Sequence, residues 1–170
     1  YAAHGVDRRY EKNIEAVKRL GIPYSLYYYS YAENAAEALG EAQNMLYLYR
    51  KMGANPSIPT YYDIEEYTNL SQNTYDSIIR TYKEYLNNNG IAVNVYASAR
   101  FAESHFQNET NWVAHYTGKV AGYTSTGAKL YSVYPSSVTN YKGQWKIWQY
   151  TNNGHVEGID SRVDLDIVYY

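Results

Sequence analysis

I-A-V-N-V-Y-A, residues 91–97, is an almost unbroken apolar run. A strand of that composition is usually buried on both faces, as in a parallel sheet, whereas a half-solvated strand alternates. The flanking segments read as helices. Ahead of it, Ser71 opens a segment that runs to Gly90, in which Tyr75, Ile78, Ile79, Tyr82 and Leu86 fall on one helical face. Behind it, S-A-R-F-A-E-S-H-F, 98–106, reads as a short helix. Further upstream lie an acidic strand (58–66), a long helix from a cap at Asn34 to a stop at Gly53, and an aromatic strand (22–32). A first helix is capped by Asp7, with Tyr10, Ile14, Val17 and Leu20 at helical spacing before Gly21. Downstream, N-W-V-A-H-Y-T (111–117) alternates like a strand. Residues 118–143 read as a loop rich in Gly, Ser, Thr and Tyr, with a strand near Leu130, and strand-like runs at 144–150 and 163–170 finish the chain. Helices alternating with strands predict an α/β fold with a parallel sheet, in one domain over 1–170.

Composition narrows the classes of partner. Of 170 residues, 19% are charged, and the formal net charge of −2 gives no electrostatic reason to expect nucleic acid or a membrane surface. No apolar run has the length of a membrane span, and no secretory signal pattern is present. Cysteine is absent, which removes disulfides, thiol nucleophiles and thiolate metal sites. His4, His105, His115 and His155 show no metal-ligand spacing. The chain begins with Tyr1 rather than Met and so reads as a processed protein or a fragment. Tyrosine, at 24 residues against 2 phenylalanines, joins an apolar ring to a polar tip and suits sugar faces and hydroxyls; a compositional habit of the source is the plainer explanation.

The acidic strand, P-T-Y-Y-D-I-E-E-Y at 59–67, breaks the depletion of carboxylates in strands. Asp63 and Glu65, two residues apart, fall on one strand face with Cα atoms roughly 6.5–7 Å apart. In parallel α/β folds functional residues collect at the carboxyl ends of strands. Two carboxylates at that spacing repel, so one holds its proton and becomes a donor. A general acid beside a second carboxylate is what breaking a glycosidic bond requires. For D-x-E by itself, a solvated strand end is the commoner case, and a site for Mg²⁺ or Ca²⁺ ranks below both.

The ordered set changes that weighting. D-R-R-Y-E-K-N-I-E-A-V-K-R-L-G (7–21), G-I-P-Y-S-L-Y-Y-Y-S-Y-A (21–32), I-P-T-Y-Y-D-I-E-E-Y (58–67), N-W-V-A-H-Y-T (111–117) and the closing W-Q-Y…G-H-V-E-G-I…V-D-L (148–165) together resemble the family 25 glycoside hydrolases, the lysozymes of bacteria and their phages. The resemblance implies an irregular TIM-like (β/α)5(β)3 barrel and hydrolysis of the β-1,4 bond between N-acetylmuramic acid and N-acetylglucosamine in peptidoglycan, with no cofactor and no metal. It implies Glu65 as general acid and Asp63 as its companion, with Asp164 lining the same groove. It further places Tyr29 against sugar, with Tyr96, Trp112, Tyr116 and Gln149 as further sugar-binding candidates. Trp148 is assigned to packing, and His115 to the surface or a helix contact. Peptidoglycan strands are then the partner, and the protein acts as a secreted, wall-associated or phage-borne bacteriolytic enzyme; oligomeric state is left open.

One feature of the family is missing. Its opening strand, with an Asp that lines the groove, and the helix and second strand after it have no counterpart before Asp7. The resemblance therefore implies a barrel incomplete at its N-terminus and one groove carboxylate fewer. The rival expectation is an inactive or truncated relative that holds cell-wall glycan without cutting it; another glycosidase acting on a chitin-like glycan is the second rival.

Overall fold

The computed structural model describes residues 5–55, 58–67, 69–116, 122–123, 129–130, 141–154, 156 and 158–169. Their contacts divide the chain into two compact units, Tyr1–Val95 and Tyr96–Tyr170.

In the first unit, α1 (Tyr10–Arg19), β1 (Tyr27–Tyr29), α2 (Ala35–Met52), β2 (Thr60–Asp63) and α3 (Gln72–Asn87) precede β3, Val93–Ser98, whose first residues close the unit. The strands lie in the order β1-β2-β3. β1 and β2 are parallel, with Tyr28 opposite Tyr62 and Tyr29 opposite Asp63. The expected caps on α2 and α3 are present: the Asn34 side chain accepts from the backbone N–H of Ala36 and Glu37, and Ser71 Oγ from that of Thr74. Each satisfies amide donors that a helix start leaves without intrahelical partners. Gly53 closes α2 at φ +64°, a left-handed conformation that glycine adopts without a Cβ clash. The apolar face read on α3 is the buried one, with Tyr75, Tyr82 and Leu86 fully inaccessible. It packs on α2, whose inward stripe includes Ala38, Ala42, Met45 and Tyr49.

Three boundaries differ from the sequence reading. Asp7 does not cap α1. Its carboxylate accepts from Arg9 N–H in a turn one step earlier, and the helix starts from Arg9 without a side-chain cap. The strand expected over 22–32 forms a ladder only at Tyr27–Tyr29. The acidic strand ends at Asp63, where its ladder with β1 also stops. Glu65 therefore stands beyond the strand, and the alternation of side chains along a strand does not set its direction.

The second unit carries α4 (Ala99–His105), β4 (Thr110–Ala114), β5 (Gly122–Tyr123), β6 (Lys129–Leu130), β7 (Ile147–Gly154) and β8 (Val163–Val168). β4 pairs parallel with β7, and β7 antiparallel with β8. β5 and β6 form a small antiparallel pair, which includes the strand expected near Leu130; the rest of 118–140 lies outside the described residues. Trp148 is fully buried, as expected, and its indole N–H donates to the His115 carbonyl at 2.9 Å. Among the described residues no helix is long and apolar enough to cross a membrane.

Candidate functional site

Asp63 is the last residue of β2, and its side chain is 7% exposed. Its Oδ1 is buried with no hydrogen-bond partner among the described residues. Loss of water, and secondarily the negative charge of Glu65, push its carboxyl up to about 8. The repulsion expected between the two acids is thus present, and the group that it helps to keep protonated is Asp63. Burial decides which: Glu65 is half-exposed, and an ion loses more hydration in the drier position.

Tyr29 stands opposite Asp63 in the ladder. Its hydroxyl donates to Glu66 Oε2 at 2.7 Å. Desolvation raises the phenol well above its ordinary range, helped by the bond to Glu66 and by the charges of Glu66, Glu65 and Asp63. Its ring lies 5.1 Å from that of Tyr31. The first unit also holds a cleft of about 950 Å³ to which Tyr29, Tyr31, Tyr67, Glu37 and Glu41 contribute.

One buried acid in this unit escaped the sequence reading. Glu41, on α2, is 8% exposed. Its Oε1 accepts from Tyr31 N–H at 2.8 Å, and its Oε2 lies 2.6 Å from the Tyr62 hydroxyl and 2.9 Å from Ser30 Oγ. Desolvation still pushes its carboxyl up against these bonds. The signal was available: Glu41 stands on the helical stripe of Ala38, Ala42 and Met45.

The second unit gathers four of the expected sugar-binding side chains. Tyr96 and Tyr116 both donate their hydroxyls to Gln149 Oε1, Tyr96 at 2.9 Å. Gln149 is buried and Tyr116 is 46% exposed. The Tyr96 ring meets Trp112 edge-on, with centroids 5.0 Å apart. The Trp112 indole N–H donates to Asp166 Oδ1 at 2.7 Å. With its oxygen taken by two phenols, Gln149 has its amide N–H groups to offer a ligand carbonyl.

Asp164, the acid expected in the groove, is exposed on β8; the one bonded to Trp112 is Asp166, two residues on. Asp166 is exposed as a residue, yet desolvation of its carboxyl raises its pKa, the indole bond opposes this, and the charge of Asp164 adds to it. The alternation in V-D-L-D puts both acids on one face, and only the tertiary structure tells which meets Trp112. Among the described residues no group of three or more His, Asp or Glu side chains is placed to hold a metal ion.

The sequence model described as glycosyl hydrolases family 25 matches residues 2–159. No curated protein matches the chain. Among solved structures, the modular autolysin LytC from Streptococcus pneumoniae, determined in complex with a synthetic peptidoglycan ligand, is 31% identical, with TM-score 0.75 over 98% of this chain and 38% of that one. The catalytic domain of endolysin ply40, from bacteriophage P40 of Listeria monocytogenes, is 23% identical, with TM-score 0.77 over 98% and 77%. The spore cortex lytic enzyme SleM of Clostridium perfringens is 18% identical, with TM-score 0.74 over 95% and 54%. The last two likenesses concern the fold alone, and they bear out the expected α/β class, an incomplete barrel of the TIM-like kind. The chain spans 38% of the length of LytC.

Proposed function

The chain belongs to glycosyl hydrolases family 25, and from that membership we propose that it is a lysozyme-type muramidase cleaving the β-1,4 bond between N-acetylmuramic acid and N-acetylglucosamine in peptidoglycan. The observation that carries this reading is the Asp63–Glu65 pair at the end of a parallel strand, with Asp63 buried and holding a proton to about pH 8. A binding protein has no use for a carboxyl kept protonated at neutral pH, whereas a glycosidase needs a proton at the leaving oxygen and a second carboxylate close by.

Glu65 is the general acid in this account. Two neighbouring carboxylates repel when both are charged, so a proton held between them goes to whichever carboxyl the surroundings favour. In the free protein burial favours Asp63. A substrate N-acetyl group whose N–H donates to the Asp63 carboxylate stabilises the Asp63 anion. The proton then resides on Glu65, beyond the strand end, where it passes to the leaving oxygen. Asp63, now charged, orients the N-acetyl group for attack on the adjacent carbon, a route that some glycosidases take. Normal turnover of a glycan lacking N-acetyl groups would exclude this route.

The sugar-binding roles follow the same resemblance. Tyr29 offers a ring and hydroxyl beside the acid pair. Trp112 and Tyr116 offer aromatic faces, Tyr96 and Gln149 polar contacts, and Asp164 a carboxylate. The two units together form one catalytic domain, a reading supported by a family match that runs through both. The protein acts on the bacterial wall from outside the cytoplasm, as a secreted, bacteriolytic or phage-borne enzyme. The reading is tested by incubating the protein with purified peptidoglycan and identifying the new reducing sugar by mass spectrometry. N-acetylmuramic acid at the new ends is expected. New ends of N-acetylglucosamine, or glycan that binds and stays intact, would overturn it.

A further inference from the structure

We propose that Glu41 is a positioning residue that holds the end of β2 against α2, so that Asp63 stays shielded from water in its place beside Glu65. The inference rests on the reading of Asp63 and Glu65 as the reacting pair. It concerns a residue on the opposite face of the strand, which no step of that reaction uses.

The geometry is a short relay. Glu41 Oε2 takes the hydroxyl of Tyr62, the residue immediately before Asp63, and its Oε1 takes the backbone N–H of Tyr31. Ser30 lies between them. Its Oγ is within 2.9 Å of both Glu41 Oε2 and the Tyr62 hydroxyl, and its backbone N–H donates to the Asp63 carbonyl at 2.8 Å. One carboxylate thus ties the C-terminal ends of β1 and β2 to a helix just where their ladder stops. The Tyr62 ring stacks on Tyr82 of α3, with centroids 3.7 Å apart. That stack fixes the ring, and Glu41 fixes its hydroxyl end.

A buried acid costs free energy, and its retention calls for a task beyond packing. Glu41 faces Glu37 on its own helix, Tyr28 on β1, Tyr62 on β2 and Tyr82 on α3. None of these is a cation, so among the described residues no salt bridge accounts for it; its partners there are the hydrogen bonds to two strand ends. Asp63, on the other face, has Glu65 as its charged neighbour and Tyr29 opposite. If the strand end loosens, water reaches Asp63, its charged form becomes cheaper, and its proton affinity falls.

The test follows the Asp63 carboxyl by carbon NMR through a pH titration of the whole chain, with a thermal melt as a check on folding. Wild type is expected to titrate near 8. In Glu41→Ala the proton affinity of Asp63 is expected to fall about tenfold or more. Tyr62→Phe keeps the ring stack and loses the hydroxyl that meets Glu41 Oε2 and Ser30 Oγ, while the bond from Tyr31 N–H to Glu41 remains, so it is expected to fall in between. Glu41→Gln, which still offers an acceptor to Tyr31, is expected to recover most of the wild-type value. An unchanged Asp63 midpoint in a folded Glu41→Ala variant would overturn the proposal. If that variant does not fold, an unchanged midpoint in Tyr62→Phe would do so. The titration is read without glycan, so failure to cleave peptidoglycan would count against the proposed activity and leave this result standing.

Discussion

Tyr29 stands directly opposite Asp63 in the parallel ladder of β1 and β2, and its hydroxyl is turned aside to Glu66 rather than to the buried Asp63 oxygen. The phenol in register with Asp63 therefore leaves the buried Oδ1 without a partner among the described residues. Tyr29→Phe keeps the ring and drops the bond to Glu66. An exposed bond of this kind is worth about 1 kcal/mol or less, so a urea melt should move little. Peptidoglycan fragments should bind several-fold more weakly, read by calorimetry, if the hydroxyl contacts sugar.

Asp63 makes the fold pay in stability at neutral pH. The folded protein keeps this proton to about pH 8, whereas an unfolded chain releases it at about 3.9. Between those values the folded state binds more protons, so stability falls as pH rises from about 4 to about 8, and this group adds no slope outside that window. Asp63→Asn removes the ionisation. It should be more stable than wild type at pH 8 by up to about 5 kcal/mol while losing activity, with paired urea melts at pH 4 and pH 8 as the measurement. Equal pH slopes in the two proteins would contradict the burial of a protonated Asp63.

The Trp112–Asp166 bond separates two kinds of aromatic residue. Asp166→Leu removes the acceptor of the indole N–H, while Asp166→Asn retains a carbonyl oxygen that can accept it. The indole proton resonance of Trp112 should shift in the Leu variant and stay near its original position in the Asn variant. Glycan affinity should fall about tenfold in the Leu variant, which corresponds to about 1.4 kcal/mol.

Trp148 provides the contrast. It is fully buried, with its N–H on the His115 carbonyl. Trp148→Ala should cost about 3–5 kcal/mol. Trp112→Ala, at a half-exposed position, should cost much less stability and more glycan affinity. Melts and binding measured on both variants give opposite orders under this account.

What could be read from the sequence follows the range of the interactions. The buried face of α3 needed only the spacing of Tyr75, Ile78, Ile79, Tyr82 and Leu86, and the caps at Asn34 and Ser71 are contacts within three residues. Asp63 and Glu65 were visible as acids in the wrong kind of strand. The end of β2 at Asp63 was not visible, because it depends on pairing with strands distant in sequence, such as β1, 34 residues earlier in register. For the same reason the sequence argument gave the retained proton to Glu65, while the burial that decides it belongs to Asp63. Asp166 and Asp164 are alike in pattern, and a partner 54 residues away distinguishes them. Glu41 has the local pattern of an ordinary helix acid, and its burial depends on two strand ends brought against α2.

The central claim is that Glu65 donates the proton that breaks the muramic-acid bond. The most direct measurement compares wild type with Glu65→Gln on purified peptidoglycan, counting new N-acetylmuramic acid ends per protein per minute. The account predicts release by wild type and a rate roughly 10²–10⁴-fold lower in the folded variant. Equal rates in the two proteins would contradict it.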